Sequence, residues 1–224
     1  MRGFWRIDRQ LVVCEVLAGA RDVESYFLSL SGSSTTMKIA ILGSAGTGKT
    51  TVATALAKGC TIPLIEESYD EFFDGNFKFL NPPHRLKSRI LVTFDSKDRQ
   101  EDSLSDFVAD RCPVDLFNLW MTQGFGRDQK LTATFYDQCR RAMTKYDYVV
   151  VLPWGAIPLK QISEPGFRRR TMNPWSQLHN HATVIGLVHQ WVQPERLVPI
   201  PFGLSNISDR VSYLARKFSI PTSI

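Results

Sequence analysis

No stretch of about 18 apolar residues occurs in the 224-residue sequence, so it offers no candidate membrane-spanning helix. The opening residues have a basic flank and a short apolar run. Asp8 and Glu15 interrupt it, which excludes both a clean signal-peptide core and an acid-poor transit peptide. Cysteine is sparse: Cys14, Cys60, Cys112 and Cys139 are widely scattered, with no C-x-x-C pair and no zinc-ligand spacing. That scatter, in a chain long enough to bury its own core, points to reduced thiols and a cytosolic protein. No run of five basic residues is present. The densest cluster is Arg168-Arg169-Arg170 and the net charge is only +5, so charge does not call for a nucleic-acid partner. Internal repeats and low-complexity tracts are also absent.

What is present is the composition of a globular domain. The apolar fraction is 43%, and fourteen Phe and five Trp bring a large apolar area per residue. Ser33-Ser34-Thr35-Thr36 forms a polar break. Residues 1–36 are therefore expected to be an N-terminal extension, or Met37 the true start, and 37–224 the main domain. The competing expectation is an ordinary extra helix covering the sheet, which the Val12/Val16 and Tyr26/Leu30 spacings permit.

From Met37 onward, strand and helix patterns alternate. Strands are predicted at 38–42, 62–66, 107–110, 148–152 and 197–200. Helices are predicted at 51–58 (ended by Gly59), about 84–102, 113–123, 129–145, 176–191 and 208–218, the last with Ser208 as its N-cap. Such alternation implies an α/β fold with a parallel sheet, helices on both faces and right-handed crossovers.

Between the first strand and its helix, Gly43-Ser44-Ala45-Gly46-Thr47-Gly48-Lys49-Thr50 matches G-x-x-x-x-G-K-[ST] at every fixed position. The glycines let successive N–H groups turn inward on an anion, and the following helix adds its positive end. Lys49 supplies a charge for the β- and γ-phosphates, and the Thr50 hydroxyl is placed to ligate Mg²⁺. Gly43 through Thr51 are thus the expected contacts of ATP or a close relative.

Ligands in open parallel sheets sit at the carboxyl ends of strands. Glu66-Glu67 closes the second predicted strand, and Asp110 closes the third with Arg111 directly after. Asp110 suits the metal and Arg111 the phosphates, while Glu66 or Glu67 suits the acceptor's proton. The Pro-, Gly- and Arg-containing stretch at about 155–175 has the make-up of a mobile lid. There Arg168 or Arg170 would neutralise charge on a transferred phosphoryl group.

Phe107-Val108-Ala109-Asp110-Arg111-Cys112-Pro113-Val114-Asp115 resembles the D-R-x-P-x-D segment of a P-loop ATP-binding family that includes nicotinamide riboside kinase domains. More distantly, it is similar to the D/E-R-S segment of deoxynucleoside and thymidylate kinases. The resemblance runs from residue 37 to about 218. It takes in Glu66-Glu67, Tyr146-Asp147-Tyr148 and Leu152-Pro153. It implies a three-layer P-loop fold of nucleotide-kinase type with an Arg-bearing lid. It also implies an acceptor-sugar contact at Glu67 (or Glu66), with Asp110 and Arg111 beside the metal and phosphates. The sequence departs from that family after Pro153, where Trp154-Gly155-Ala156-Ile157-Pro158-Leu159-Lys160 replaces an acidic or Asp-Gly-rich stretch.

The functional expectation is a Mg²⁺-dependent ATP:small-molecule phosphotransferase with a nucleoside- or nucleotide-like acceptor. The alternatives are a nucleotide-dependent switch or regulatory module, and a polynucleotide end kinase. Thr144-Lys145-Tyr146-Asp147 imitates a guanine-binding motif but precedes its strand, which puts it at the wrong end of the sheet. His179 and His181, two apart on a predicted helix, do not share a face for a metal. Trp154, Trp175 and Trp191 are expected to pack in the core or lid.

Overall fold

The computed structural model describes residues 36–66, 69–76, 78–158 and 173–218. Five strands form one parallel sheet: β1 (Lys38–Leu42), β2 (Leu64–Ile65), β3 (Phe107–Asp110), β4 (Tyr148–Val151) and β5 (Leu197–Pro199), in spatial order β2-β3-β1-β4-β5. β1 is central, with Ile39 opposite Val108 on one side and Tyr148 on the other. Helices follow as α1 (Lys49–Cys60), α2 (Pro83–Asp102), α3 (Pro113–Thr122), α4 (Gln129–Ala142), α5 (Pro174–Trp191) and α6 (Ile207–Lys217).

Strand side chains alternate between faces, so a sheet covered on both sides needs apolar residues at every position. Ile39, Ile41, Val108 and Val150 pack with Val52 and Leu56 of α1 and Leu214 of α6. Ala40, Leu42, Ala109, Val149 and Val151 turn to the other face, where α2 to α5 bury Ile90, Phe117, Phe135 and Val188. The aromatic content concentrates there: Trp120 and Phe135 lie 5.0 Å apart, Phe117 and Trp191 5.6 Å apart. The fold is therefore the expected three-layer α/β sandwich.

Several local expectations differ. Gly59 lies inside α1, which runs on to Cys60 and ends on Thr61, a non-glycine at φ 56 whose N–H reaches Ala57 and Lys58. β2 is only two residues long. The N-cap of α6 is Asn206 rather than Ser208, its side chain accepting from the Ser208 N–H. The predicted 129–145 helix ends as α at Ala142 and tightens into a 3₁₀ turn over Met143–Lys145. Trp191 is core, whereas Trp175 is 72% exposed, contrary to the packing expected of it. Asp147 accepts from the Lys38 N–H at 2.8 Å, at the end of the sheet opposite the glycine-rich loop.

Cys60, Cys112 and Cys139 are free thiols. No helix among the described residues is long and apolar enough to cross a membrane.

Candidate functional site

The loop leaving β1 is shaped by glycine where a side chain could not follow. Gly46 (φ 80) and Gly48 (φ 90) are left-handed, and a Cβ on Gly48 would lie 3.1 Å from Ile207 Cδ1. A Cβ on Gly43 would lie 3.0 Å from the Leu152 carbonyl oxygen, so the loop hugs the end of β4. Gly48 caps α1 without any side-chain hydrogen bond to the first turn. A helix start without a side-chain cap has N–H groups and a positive dipole end to offer an anion. Lys49, nearly buried, folds back across this loop. Its Nζ donates to the carbonyls of Gly43 (2.7 Å) and Ser44 (3.0 Å).

The loop is braced from within and from behind. Thr47 Oγ1 donates to the Ser44 carbonyl at 2.9 Å. Arg210 of α6, with 0% of its surface exposed, donates from Nη1 to the Thr47 carbonyl and from Nε to the Leu204 carbonyl, both at 2.6 Å. α6 thereby ties the loop after β5 to the glycine-rich loop.

Next to the loop, β3 delivers Asp110 from the strand adjacent to β1. The Thr50 hydroxyl donates to Asp110 Oδ2 at 2.7 Å, joining two of the predicted site residues. The second carboxylate oxygen, Oδ1, is buried and has no hydrogen-bond partner among the described residues. A buried acceptor-only oxygen beside a threonine hydroxyl is the donor set that a hard divalent cation takes, so these residues fit Mg²⁺. Arg111 adopts φ 72, a conformation costly for a residue with a Cβ, and brings Nη1 to 3.8 Å from Asp110 Oδ2.

Asp115, the last acid of the D-R-x-P-x-D segment and one that carries no sequence signal of its own role, completes the group. It sits at the third position of α3 and accepts from the Cys112 N–H at 3.2 Å. Burial pushes its carboxyl up from the ordinary value, while the charges of Lys49 and Arg111 pull the other way.

These elements open onto a cavity of about 970 Å³. Gly43, Lys49, Arg111 and Asp115 line one part of it; Phe73, Phe79 and the buried Gln177 line another. Phe73 and Phe79 stack at 4.5 Å across a tight antiparallel bridge. Neither they nor Gln177 carried a sequence signal, because a pocket assembled from three separate segments has no spacing to recognise.

Glu66 is exposed just after β2, and Glu67 lies outside the described residues. So do Arg168 and Arg170, with most of the expected lid: 155–158 and 173–175 are described, 159–172 are not.

The AAA domain family matches residues 38–183, well over half of the chain. No curated protein sequence matches it. Among solved structures, deoxyadenosine kinase from M. mycoides, described with product dCMP and a flexible dCDP bound, has TM-score 0.60 at 17% identity. That match covers 82% of this chain and 99% of the other. NadR protein in complex with NR has TM-score 0.55 at 18% identity, covering 84% of this chain and 53% of NadR. At such identities the likeness establishes the fold, which is the α/β P-loop fold of nucleotide-kinase type. A phosphate-binding loop at the end of a central parallel strand and a match over residues 38–183 lead to one assignment: the chain belongs to the AAA domain family of P-loop proteins.

Proposed function

We propose that this protein is a Mg²⁺-dependent kinase that transfers the γ-phosphoryl group of ATP to a small nucleoside- or nucleotide-like acceptor. The observation that carries the reading is the Thr50–Asp110 contact at 2.7 Å, beside a cavity lined by Lys49 of the glycine-rich loop and by Arg111. The loop offers a place for the donor phosphates, and the cavity has room for a second small molecule. The neighbouring structures bear on the acceptor, one being described with dCMP and the other with NR.

In this reading the N–H groups of Gly43 to Thr51 and the Lys49 ammonium hold the triphosphate. Thr50 and Asp110 hold the metal, which supplies charge neutralisation to the phosphate oxygens. Arg111 faces the transferred group. An acceptor oxygen forms the new P–O bond as the bond to the ADP leaving oxygen breaks, and Glu67 or Glu66 takes the acceptor proton. Arg168 or Arg170, carried on a lid, would offset the developing charge.

The test is ATP consumption by purified protein with Mg²⁺ against a panel of nucleosides, nucleotides and sugars. Turnover that appears only with one acceptor class supports the assignment. Slow hydrolysis indifferent to every small molecule would replace it with a nucleotide-dependent switch. Arg168→Ala and Arg170→Ala should each slow turnover at unchanged melting temperature; unchanged kcat in both removes the lid.

A further inference from the structure

We propose that Lys97 is a positioning residue for Asp110 and Arg111, its ammonium pinning the turn that aims both side chains at the phosphate site. The inference rests on the kinase reading above and adds to it a residue on the far side of the turn.

Lys97 belongs to the middle of α2 and is only 7% exposed. Its Nζ donates at 3.1 Å to the carbonyl of Asp110 and at 3.1 Å to that of Arg111. Successive carbonyls of a strand point to opposite sides, and the left-handed Arg111 at φ 72 breaks that alternation so that both reach one cation. The Arg111 N–H is fixed separately, donating to the Ile41 carbonyl of β1 at 2.9 Å. The turn is thus held at its N–H by the central strand and at its two carbonyls by Lys97. Charge-assisted hydrogen bonds of this kind are stronger than neutral ones and offset the backbone strain at Arg111.

Lys97 reaches the two carbonyls of the turn from α2. Its effect is carried by the turn. The Thr50–Asp110 contact at 2.7 Å and the Arg111–Asp110 approach at 3.8 Å both depend on how residues 110 and 111 leave β3. The charged surroundings keep the ammonium in place. Glu101 lies one helical turn further along α2, Asp115 faces it from α3, and both carboxyls feel the Lys97 charge.

A purely structural lysine and a positioning lysine predict different metal dependence. Calorimetry of ATP binding with Mg²⁺ and with a chelator isolates the metal-linked gain in affinity. In Lys97→Met that gain should fall at least fivefold, with metal-free affinity falling by a smaller factor through the displaced Arg111. Lys97→Arg, which keeps the cation, should recover part of it. An unchanged metal-linked gain in folded Lys97→Met overturns the proposal, as does an equal loss of both affinities. If Lys97→Met does not fold, Lys97→Gln, which keeps a neutral donor, is judged by the same two affinities. A wild-type protein with no metal-linked gain also overturns it. A wild-type protein that shows the gain but phosphorylates no acceptor defeats only the kinase assignment.

Discussion

Asp110 concentrates the site's demands at one residue: one oxygen accepts from Thr50, the other is buried without a partner among the described residues. Replacing it by Asn keeps the shape but removes the anion. We expect Asp110→Asn to lower phosphoryl transfer by about a hundredfold or more, the scale on which preorganised charge acts. Its melting temperature should stay within a few degrees of wild type. On the proposed kinase reading, Lys49→Ala should abolish transfer altogether, read as acceptor-dependent ATP consumption. A mild effect of Asp110→Asn would reduce the carboxylate to a strand-end cap.

Glu101 carries a pH dependence at the same scale. It is 1% exposed, and its carboxyl accepts from the Tyr146 hydroxyl at 2.6 Å. Burial pushes its pKa from 4.5 up to about 6, against the opposing pull of Lys97. A carboxyl that binds its proton more tightly when folded stabilises the fold at low pH. That contribution is lost as pH rises from about 4.5 through 6. Glu101→Gln removes the titration. The variant should therefore gain about 1.5 kcal/mol relative to wild type between pH 4.5 and 7. Denaturant melts at the two pH values measure this, and a pH-independent difference would contradict it.

At the scale of elements, α1 links the site to the packing of the sheet. Its start is the glycine-shaped loop, and its body buries Val52, Ala53 and Leu56 against the sheet. Its end is less well served, because Thr61 occupies a left-handed position that glycine fills without strain. Thr61→Gly should raise stability by about 0.5–1 kcal/mol, a few degrees in melting temperature for a domain this size. A lower melting temperature would mean that the Thr side chain contributes more than its backbone costs. The helices were legible from sequence because period and breakers are local signals. The errors fell at the ends: Gly59, Ser208 and Lys145 were each good terminal residues on local chemistry. Instead α1 runs on to Cys60, α6 is capped by Asn206, which the chain reaches first, and α4 gives way to a 3₁₀ turn after Ala142.

At the scale of the molecule, the elements that carry the candidate site, from β1 to α6, lie in residues 37–218. We expect a chain beginning at Met37 to keep nucleotide affinity within about twofold, since the glycine-rich loop, Asp110 and Arg111 all lie within it. Loss of solubility or binding in that truncated chain would show that residues 1–36 are part of the folded unit.

The glycine-rich loop, the central strand before it and the acid at the end of β3 were determined by the sequence alone. Phosphate binding by backbone N–H groups demands glycines and a lysine at set spacing along one continuous segment, and such a signal survives without any tertiary information. Only the tertiary structure decided that Thr50 meets Asp110, that Lys97 and Arg210 hold the two loops from behind, and that Phe73, Phe79 and Gln177 share a cavity with Lys49. Those contacts join residues far apart in the chain through the order of strands in the sheet. No local pattern of residues records which distant side chains that order will bring together.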